Sequence, residues 1–231
     1  MSKRIDVIIP AYNEEESIKL VLQDMPWDLV REVIVCNNNS TDRTAEVATE
    51  HGATVVHQPQ KGYGSACLKG IEHITNKPAS EQPDIVVFLD GDYSDYPQEM
   101  HQLIAPILQQ DMDMVIGSRA IGDLEQGAMQ PQQIFGNWLA TNLIKLIYKY
   151  TFTDLGPFRA ITWDKLQALK MEDPDFGWTV EMQVKAAKMK FKCTEIPVSY
   201  RRRVGISKVS GTIRGSVLAG HKILWTIFKL I

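Results

Sequence analysis

The chain has 231 residues, a net charge of −3 and a pI of about 6.0. This length favours one sizeable α/β domain over two ordinary domains with a linker, and the lack of a basic excess argues against nucleic acid as a partner. The three cysteines, Cys36, Cys67 and Cys193, form no CxxC pair, which argues against a zinc site or disulfide framework and fits a reducing, cytoplasmic setting. No apolar run reaches the length of a transmembrane helix, so none is expected.

Strand and helix signals alternate through the first half of the chain. Helices are predicted after the first four strands, with Asn13 and Glu16 forming a capping box at the first helix and Pro97 beginning the fourth. This order predicts an α/β fold with a doubly wound, mainly parallel sheet flanked by helices. The predicted strands cover residues 6–10, 32–36, 54–57, 84–89 and 113–117.

Polar clusters follow three of these strands, at residues 11–14, 37–42 and 90–95. In a doubly wound sheet, ligands bind beyond the carboxyl ends of the strands. The three clusters are therefore expected to meet in one crevice.

The second half of the chain is less regular. Helical patterns cover residues 132–150 and 177–190, a loop interrupted by glycine and proline is predicted at 154–161, and a strand at 192–200. Residues 211–231 are apolar with basic residues at intervals, which indicates a C-terminal amphipathic helix. We therefore expect one domain over residues 1–210, followed by this helix.

Two carboxylates, Asp90 and Asp92, come directly after the buried fourth strand. Two hard oxygen ligands suit Mg²⁺ or Mn²⁺, which take further ligands from phosphates and water, and such a metal neutralises the charge of a diphosphate leaving group. A turn rich in Asp and Gly is the structural alternative. A DxD phosphatase is a rival function, but its motif usually comes early in a chain, and this one comes late.

Several motifs together resemble those of family 2 glycosyltransferases with the GT-A fold. The resemblance covers about residues 5–210 and extends to the subgroup of dolichyl- and polyprenyl-phosphate sugar synthases. The motifs are Pro10-Ala11-Tyr12-Asn13-Glu14, Asn39-Ser40-Thr41-Asp42, Lys61-Gly62-Tyr63-Gly64, Asp90-Gly91-Asp92, Gly117-Ser118-Arg119, Asp154-Leu155-Gly156-Pro157-Phe158-Arg159 and Arg203-Val204-Gly205-Ile206-Ser207-Lys208.

The resemblance implies inverting transfer of a sugar from a nucleoside diphosphate sugar, with a polyprenyl phosphate or other membrane lipid as the leading acceptor. Asp90 and Asp92 would bind Mg²⁺ or Mn²⁺, with Asp92 the more direct ligand. The expected nucleotide-sugar site contains Pro10, Ala11, Tyr12, Glu14, Asn37, Asn38, Asp42, Lys61, Gly62, Asp90, Gly91, Asp92 and Arg119. The expected phosphate or acceptor site contains Arg159, Arg203, Ser207 and Lys208.

Two positions depart from the pattern of the family. Asn37 and Asn38 stand where many relatives have a carboxylate, and an amide offers one donor and one acceptor, which matches uracil better than guanine. A UDP-sugar is therefore favoured over a GDP-sugar. Gly156-Pro157 also replaces the usual loop sequence, so the loop near the acceptor is expected to differ.

Glu181 lies where many members of the family have their general base, and Asp154 is a second candidate. A hydroxyl acceptor needs such a base, because it loses a proton during attack. A phosphate acceptor is already ionised and needs none, in which case Glu181 would orient the donor sugar. The alternative for Glu181 is a buried carboxylate that ties its helix to a neighbouring loop.

The helix at 132–150 and the C-terminal helix are both apolar with basic residues, a pattern typical of helices in the membrane interface. Packing on the sheet or a homodimer contact are the alternatives. We expect a cytoplasmic protein, with peripheral membrane contact possible. A soluble or saccharide hydroxyl acceptor, and an inactive nucleotide-sugar-binding scaffold, are the other functions that the sequence leaves open.

Overall fold

The computed structural model describes residues 3–205 and 213–231, with the side chains of the last segment described from residue 218 onward. Its strands are β1 (Ile5–Ala11), β2 (Glu32–Asn37), β3 (Thr54–His57), β4 (Ile85–Phe88), β5 (Met114–Ser118), β6 (Arg159–Thr162) and β7 (Cys193–Pro197). Its α-helices are α1 (Glu15–Gln23), α2 (Thr44–Glu50), α3 (Tyr63–Thr75), α4 (Met100–Gln110), α5 (Pro131–Tyr148), α6 (Trp163–Leu169), α7 (Trp178–Lys188) and α8 (Ile213–Lys229).

The strands form one sheet in the order β3-β2-β1-β4-β6-β5-β7. All neighbouring pairs are parallel except those of β6, which runs antiparallel between β4 and β5. The predicted doubly wound, mainly parallel α/β sheet is confirmed. The prediction of a loop at 154–161 is wrong at its end, where the chain forms β6. Ala160 of this strand pairs with Val87 on one side and Val115 on the other. This strand is too short, and too close to Gly156-Pro157, for its pattern to stand out.

The sheet carries an apolar layer on each face. Alternate residues of a strand point to opposite faces, so Ile8 and Ile34 pack in one layer while Val7 and Val33 pack in the other. The first layer includes residues of α3, α5 and α7, and the second includes residues of α1 and α4. The strands are therefore buried on both faces, which explains their nearly continuous apolar sequences.

The start of α1 differs from its prediction. Asn13 adopts the left-handed conformation with φ of 54°, and its side-chain oxygen accepts a hydrogen bond from the Thr41 backbone N–H at 2.8 Å. Asp42 in turn accepts from the backbone N–H of Glu15 at 3.2 Å and of Thr44 at 3.0 Å. These contacts join the loops after β1 and β2, so the side chains support the rim of the sheet rather than forming the expected capping box.

Helix α8 packs against α5 and α7. Ile227 is buried there, and its carbonyl accepts a hydrogen bond from the Tyr148 hydroxyl at 2.5 Å. Lys222 pairs with Asp173, which lies just before α7, at 3.1 Å. None of the helices in the described part of the chain has the length and apolar character needed to cross a membrane.

Trp178 provides a test of the core beneath the sheet. Its ring is buried and meets Phe88 edge-on, with the ring centroids 5.7 Å apart. We expect Trp178→Ala to lower the free energy of unfolding by about 3–5 kcal/mol, because it leaves a large cavity. Trp225→Ala is the control, since that side chain is 58% exposed, and its effect should stay within about 0.5 kcal/mol. Urea denaturation followed by circular dichroism measures both, and equal effects would contradict this account.

Candidate active site

A cleft of about 710 Å³ opens at the carboxyl ends of β1, β2 and β4. It lies at the edge where the polar clusters were expected to meet, and most of the predicted nucleotide-sugar residues line it. These are Pro10, Ala11, Tyr12, Glu14, Asn38, Lys61, Gly62, Asp90, Gly91, Asp92 and Arg119, joined by Arg203 from the predicted phosphate site.

Asp90 and Asp92 lie side by side at the base of the cleft, where β4 ends. The Tyr63 hydroxyl donates to Asp90 at 3.0 Å, and the Ser94 backbone N–H donates to Asp92 at 2.9 Å. Burial, followed by the charge of Asp92, raises the pKa of Asp90 to about 7. Two carboxylates held this close in a poorly solvated site repel each other, and a bound cation would relieve that repulsion.

The pair fits a hard divalent cation. In the described part of the chain, no three acidic, histidine or cysteine side chains are grouped closely enough to hold a metal by themselves. Mg²⁺ and Mn²⁺ sites commonly use one or two carboxylates and complete their shells with phosphate oxygens and water. The donor set therefore suits a metal that binds together with a diphosphate.

Arg203 closes the cleft over these carboxylates. Its guanidinium lies 3.1 Å from an oxygen of Asp92 and 3.1 Å from an oxygen of Glu14. The backbone N–H of Val204 also donates to the Asp92 carbonyl at 3.0 Å. Arg203 is thus a cation positioned at the DxD motif, as expected of a phosphate-binding residue, whereas Ser207 and Lys208 lie outside the described residues.

Arg119 and Asp154 form a buried ion pair at one wall of the cleft. The guanidinium meets both carboxylate oxygens at 2.7 Å, and the Arg119 backbone N–H donates to the same carboxylate at 2.8 Å. The predicted base Asp154 is fully buried, so its carboxylate orients Arg119 instead of facing a substrate. Gly156 belongs to this arrangement, because a Cβ there would lie 2.5 Å from the Gly117 carbonyl oxygen.

The prediction that Arg159 binds phosphate is wrong in this structure. The side chain is fully buried, and its N–H groups donate to the carbonyls of Leu155, Gly156 and Thr179. Burial lowers the pKa of its guanidinium to about 10. Arg159 therefore ties the loop before β6 to α7 and does not reach the cleft.

Glu181 also lies away from the cleft, which contradicts its predicted position at the reaction centre. Its carboxylate accepts from the backbone N–H groups of Glu172 at 3.0 Å and Asp173 at 2.8 Å, and it pairs with Lys185 at 2.6 Å. These partners use the lone pairs that a general base needs. The structure matches the alternative reading, in which a buried carboxylate ties its helix to a neighbouring loop.

The two asparagines have structural partners that the sequence did not reveal. The Asn38 side chain accepts from the Gly62 N–H at 2.8 Å and donates to the carbonyls of Gln58 and Gln60. Asn37 bonds His57 and the Ser40 N–H and lies outside the cleft lining. Asn38 thus holds the loop that precedes α3, and Asn37 joins the ends of β2 and β3. The geometry of these two amides gives no support for a preference for uracil. Asp42 likewise supports the rim without lining the cleft.

The sequence missed the far wall of the cleft. This wall comes from α5, α7 and α8 and the loops beside them. It combines apolar and small residues with three amide side chains of α5, those of Gln132, Gln133 and Asn137. Its other described residues include Met129, Gly136, Leu155, Pro157, Phe176, Ala219, Gly220 and Ile223, with Asp175 in the loop before α7 and Thr179 in its first turn. The only available sequence signal was the small residues that interrupt the apolar helices.

The raised pKa of Asp90 predicts a pH dependence of stability in the metal-free protein. The folded state holds a proton on Asp90 more tightly than the unfolded chain, where the pKa is near 3.8. The resulting stabilisation is complete below that value and is lost as the pH rises through about 7. In EDTA, wild type should therefore lose stability relative to Asp90→Asn between pH 5 and pH 8.

Urea denaturation at both pH values measures this difference. Asp28→Asn, at an exposed position, is the control and should follow wild type across the same range. A constant difference in stability between wild type and Asp90→Asn would show that the Asp90 proton is not linked to folding.

Comparison with known proteins identifies relatives along nearly the whole chain. The sequence model of the family described as glycosyl transferase family 2 matches residues 6–167 of this chain. An uncharacterised glycosyltransferase of Mycobacterium tuberculosis is 34% identical over 218 residues, covering 93% of this chain and 94% of the relative. An undecaprenyl-phosphate mannosyltransferase of Micrococcus luteus is 28% identical over 228 residues, covering 93% and 91%.

Solved structures share the fold. Glucosyl-3-phosphoglycerate synthase from Mycobacterium tuberculosis, in complex with Mn²⁺, UDP and phosphoglyceric acid, aligns with a TM-score of 0.78 and 22% identity, covering 99% of this chain and 78% of that chain. At this identity the likeness concerns the fold, and it agrees with the mixed, mainly parallel sheet described above. The chain belongs to glycosyltransferase family 2 and has the GT-A fold that its motifs predicted.

Proposed function

We propose that this glycosyltransferase transfers a sugar, with inversion, from a nucleoside diphosphate sugar to a polyprenyl phosphate. The observation that carries the proposal is the two-sided cleft. One side holds the paired carboxylates and the cations Lys61, Arg119 and Arg203. The other side combines apolar residues, among them Met129, Leu155, Pro157, Phe176 and Ile223, with the amide side chains of Gln132, Gln133 and Asn137 on α5. A charged donor and a lipid acceptor require these two environments next to each other.

The donor side suits a nucleoside diphosphate. Tyr12 and Lys61 lie together at the mouth, with the ammonium 3.0 Å from the phenol oxygen, and an aromatic ring beside a cation can receive a base and its phosphates. UDP is the favoured nucleotide, because the glucosyl-3-phosphoglycerate synthase of the same fold was solved with UDP and Mn²⁺. Mg²⁺ or Mn²⁺ at Asp90 and Asp92 would neutralise the leaving diphosphate.

The acceptor side suits a lipid phosphate. Large apolar side chains also lie on the surface of α5 and α8, the two helices that contribute to the cleft. More than half exposed there are Phe135, Trp138, Leu146, Trp225 and Phe228. Exposed lysines accompany them on both helices. Such a surface can rest in the bilayer interface, and the mannosyltransferase of Micrococcus luteus is named for an undecaprenyl-phosphate acceptor.

The residues of this chain have defined tasks in such a transfer. An acceptor phosphate oxygen attacks the anomeric carbon, the bond from that carbon to the diphosphate oxygen breaks, and the electron pair leaves with the nucleoside diphosphate. Arg203 and Arg119 are placed to hold phosphate oxygens, since a guanidinium offers a planar set of donors. No proton has to be removed from an ionised phosphate, which fits the positions of Glu181 and Asp154 away from the reacting centre.

Nucleotide binding provides the first test. We expect one nucleoside diphosphate, UDP in preference to GDP, to raise the melting temperature in the presence of Mn²⁺, because a ligand that binds only the folded state stabilises it by about 2.7 kcal/mol at 100 times its Kd. The shift should disappear with EDTA and in Asp92→Asn. Asp28→Asn should keep it. Equal shifts with and without metal would contradict the role of the DxD pair.

The acceptor class is tested by product analysis with radiolabelled UDP-sugars. We expect label in the organic phase with undecaprenyl phosphate in detergent, and none in a soluble product with 3-phosphoglycerate, the kind of acceptor bound by the solved neighbour. Apolar residues of the cleft such as Leu155, Phe176 and Ile223, with the exposed apolar side chains of α5 and α8, offer surface for an isoprenoid chain, whereas a small polyanion gains nothing from them. Transfer to phosphoglycerate alone would reverse the acceptor assignment.

The exposed apolar face provides a separate test. We expect Phe135→Ser with Trp138→Ser to reduce flotation with liposomes containing anionic lipid by about tenfold or more, because two large side chains leave the interface. Leu108→Ser with Met189→Ser removes two exposed apolar side chains from elsewhere and should leave flotation unchanged. Loss of a homodimer in light scattering, with flotation unaffected, would instead make this face a subunit contact.

A further inference from the structure

The loop before α7 is fixed to the rest of the protein on several sides. Glu181 binds its backbone through Glu172 and Asp173, as described above. The Asp173 carboxylate accepts from the Asp175 N–H at 2.8 Å and pairs with Lys222 of α8 at 3.1 Å. The Pro174 carbonyl accepts from the Ser65 N–H at 2.8 Å. The backbone that carries Asp175 is therefore held firmly in one place.

This loop rests directly on the glycines of the donor side. A Cβ at Gly62 would lie 2.2 Å from the Pro174 carbonyl oxygen, and a Cβ at Gly64 would lie 1.9 Å from the Asp173 carbonyl oxygen. Only glycine permits this approach. The contact brings Asp175 and Phe176 to the wall of the cleft beside the segment that carries Lys61.

Asp175 differs from the other carboxylates of the cleft. Glu14 and Asp92 pair with Arg203, and Asp90 accepts from Tyr63. The Asp175 side chain is half-buried and lines the cleft, yet no hydrogen-bond or ion-pair partner for it is found among the described residues. A carboxylate that is held in place and has no partner in the described part of the chain can accept hydrogen bonds from a ligand without first breaking any bond seen there.

The chemistry of the cleft limits which chemical group of a ligand Asp175 can bind. Asp175 is not grouped with Asp90 and Asp92 as a third metal ligand, because no such set of three occurs among the described residues. A carboxylate repels the acceptor phosphate and the diphosphate at close range. The remaining candidates are the hydroxyl groups of a sugar. A carboxylate can accept charge-assisted hydrogen bonds from two neighbouring hydroxyls.

We propose that Asp175 binds hydroxyl groups of the donor sugar and helps select which sugar is transferred. The assignment rests on the proposed function, since it requires a nucleotide-sugar donor. It also replaces Glu181 as the carboxylate of this segment that faces the substrate, with Glu181 acting only to hold the loop. Because the anchoring contacts involve the backbone and Asp173, the Asp175 side chain is free to be changed without releasing the loop.

The test compares binding of a nucleotide sugar with binding of its nucleoside diphosphate, by calorimetry in Mn²⁺. UDP- and GDP-linked hexoses are screened with wild type, and the tightest is used together with the matching UDP or GDP. We expect Asp175→Asn to weaken binding of the nucleotide sugar by about tenfold, which corresponds to the loss of one hydrogen bond to a charged group. The nucleoside diphosphate should bind to this variant as tightly as to wild type. Discrimination between hexose epimers should fall as well.

Glu172→Gln is the matched control, since this carboxylate belongs to the same loop but is exposed and outside the cleft lining; it should change neither affinity. Asp175→Ser provides a second variant, and melting temperatures verify that both fold. Unchanged nucleotide-sugar affinity in Asp175→Asn and Asp175→Ser would overturn the assignment, as would equal weakening of both ligands. Absence of any nucleotide-sugar binding by wild type would overturn the proposed function first, and this assignment with it.

Discussion

Two segments that line the cleft depend on the hydrogen bonds that the buried guanidinium of Arg159 donates. A buried charge without a carboxylate partner costs free energy unless its hydrogen-bonding groups are satisfied. Here the carbonyls of Leu155, Gly156 and Thr179 satisfy them. The same bonds join the loop that supplies Asp154 to Arg119 with the first turn of α7, the helix that follows the loop of Asp175. One fully buried residue thus connects two segments that each contribute to the lining of the cleft.

The parallel half of the fold followed from local pattern, because each strand there is an apolar run ending in polar residues and followed by a helix. Strand β6 did not, since four residues after a Gly-Pro turn carry no periodicity of their own. Its place between β4 and β5 is set by pairing across the sheet, with Ala160 opposite Val87 and Val115. Such pairing depends on contacts far apart in sequence, which a local pattern does not contain.

In the candidate site, too, some features could be predicted from local sequence pattern, whereas others depend on contacts between residues far apart in the chain. Residues that follow strands, such as Asp90, Asp92 and Glu14, were located from sequence because the sheet brings its strand ends together. The roles of Arg159 and Glu181 could not be predicted in the same way, because they depend on where each side chain points. Arg159 and Glu181 have the chemistry of ligand-binding groups, but backbone groups nearby saturate them. The sequence shows which side chains carry charge, whereas the three-dimensional contacts decide which of those charges remain available to a substrate.

The contact of Arg203 with Asp92 and Glu14 has a consequence for how the site changes when it is loaded. The protein itself places a positive charge against its DxD motif, on a side chain that the proposed function also assigns to holding phosphate. Under the proposed function, a metal ion at Asp92 would take the place of this guanidinium, which would then be available to the diphosphate of the donor. Donor and metal would thereby be coupled through a single arginine, so each would favour the binding of the other.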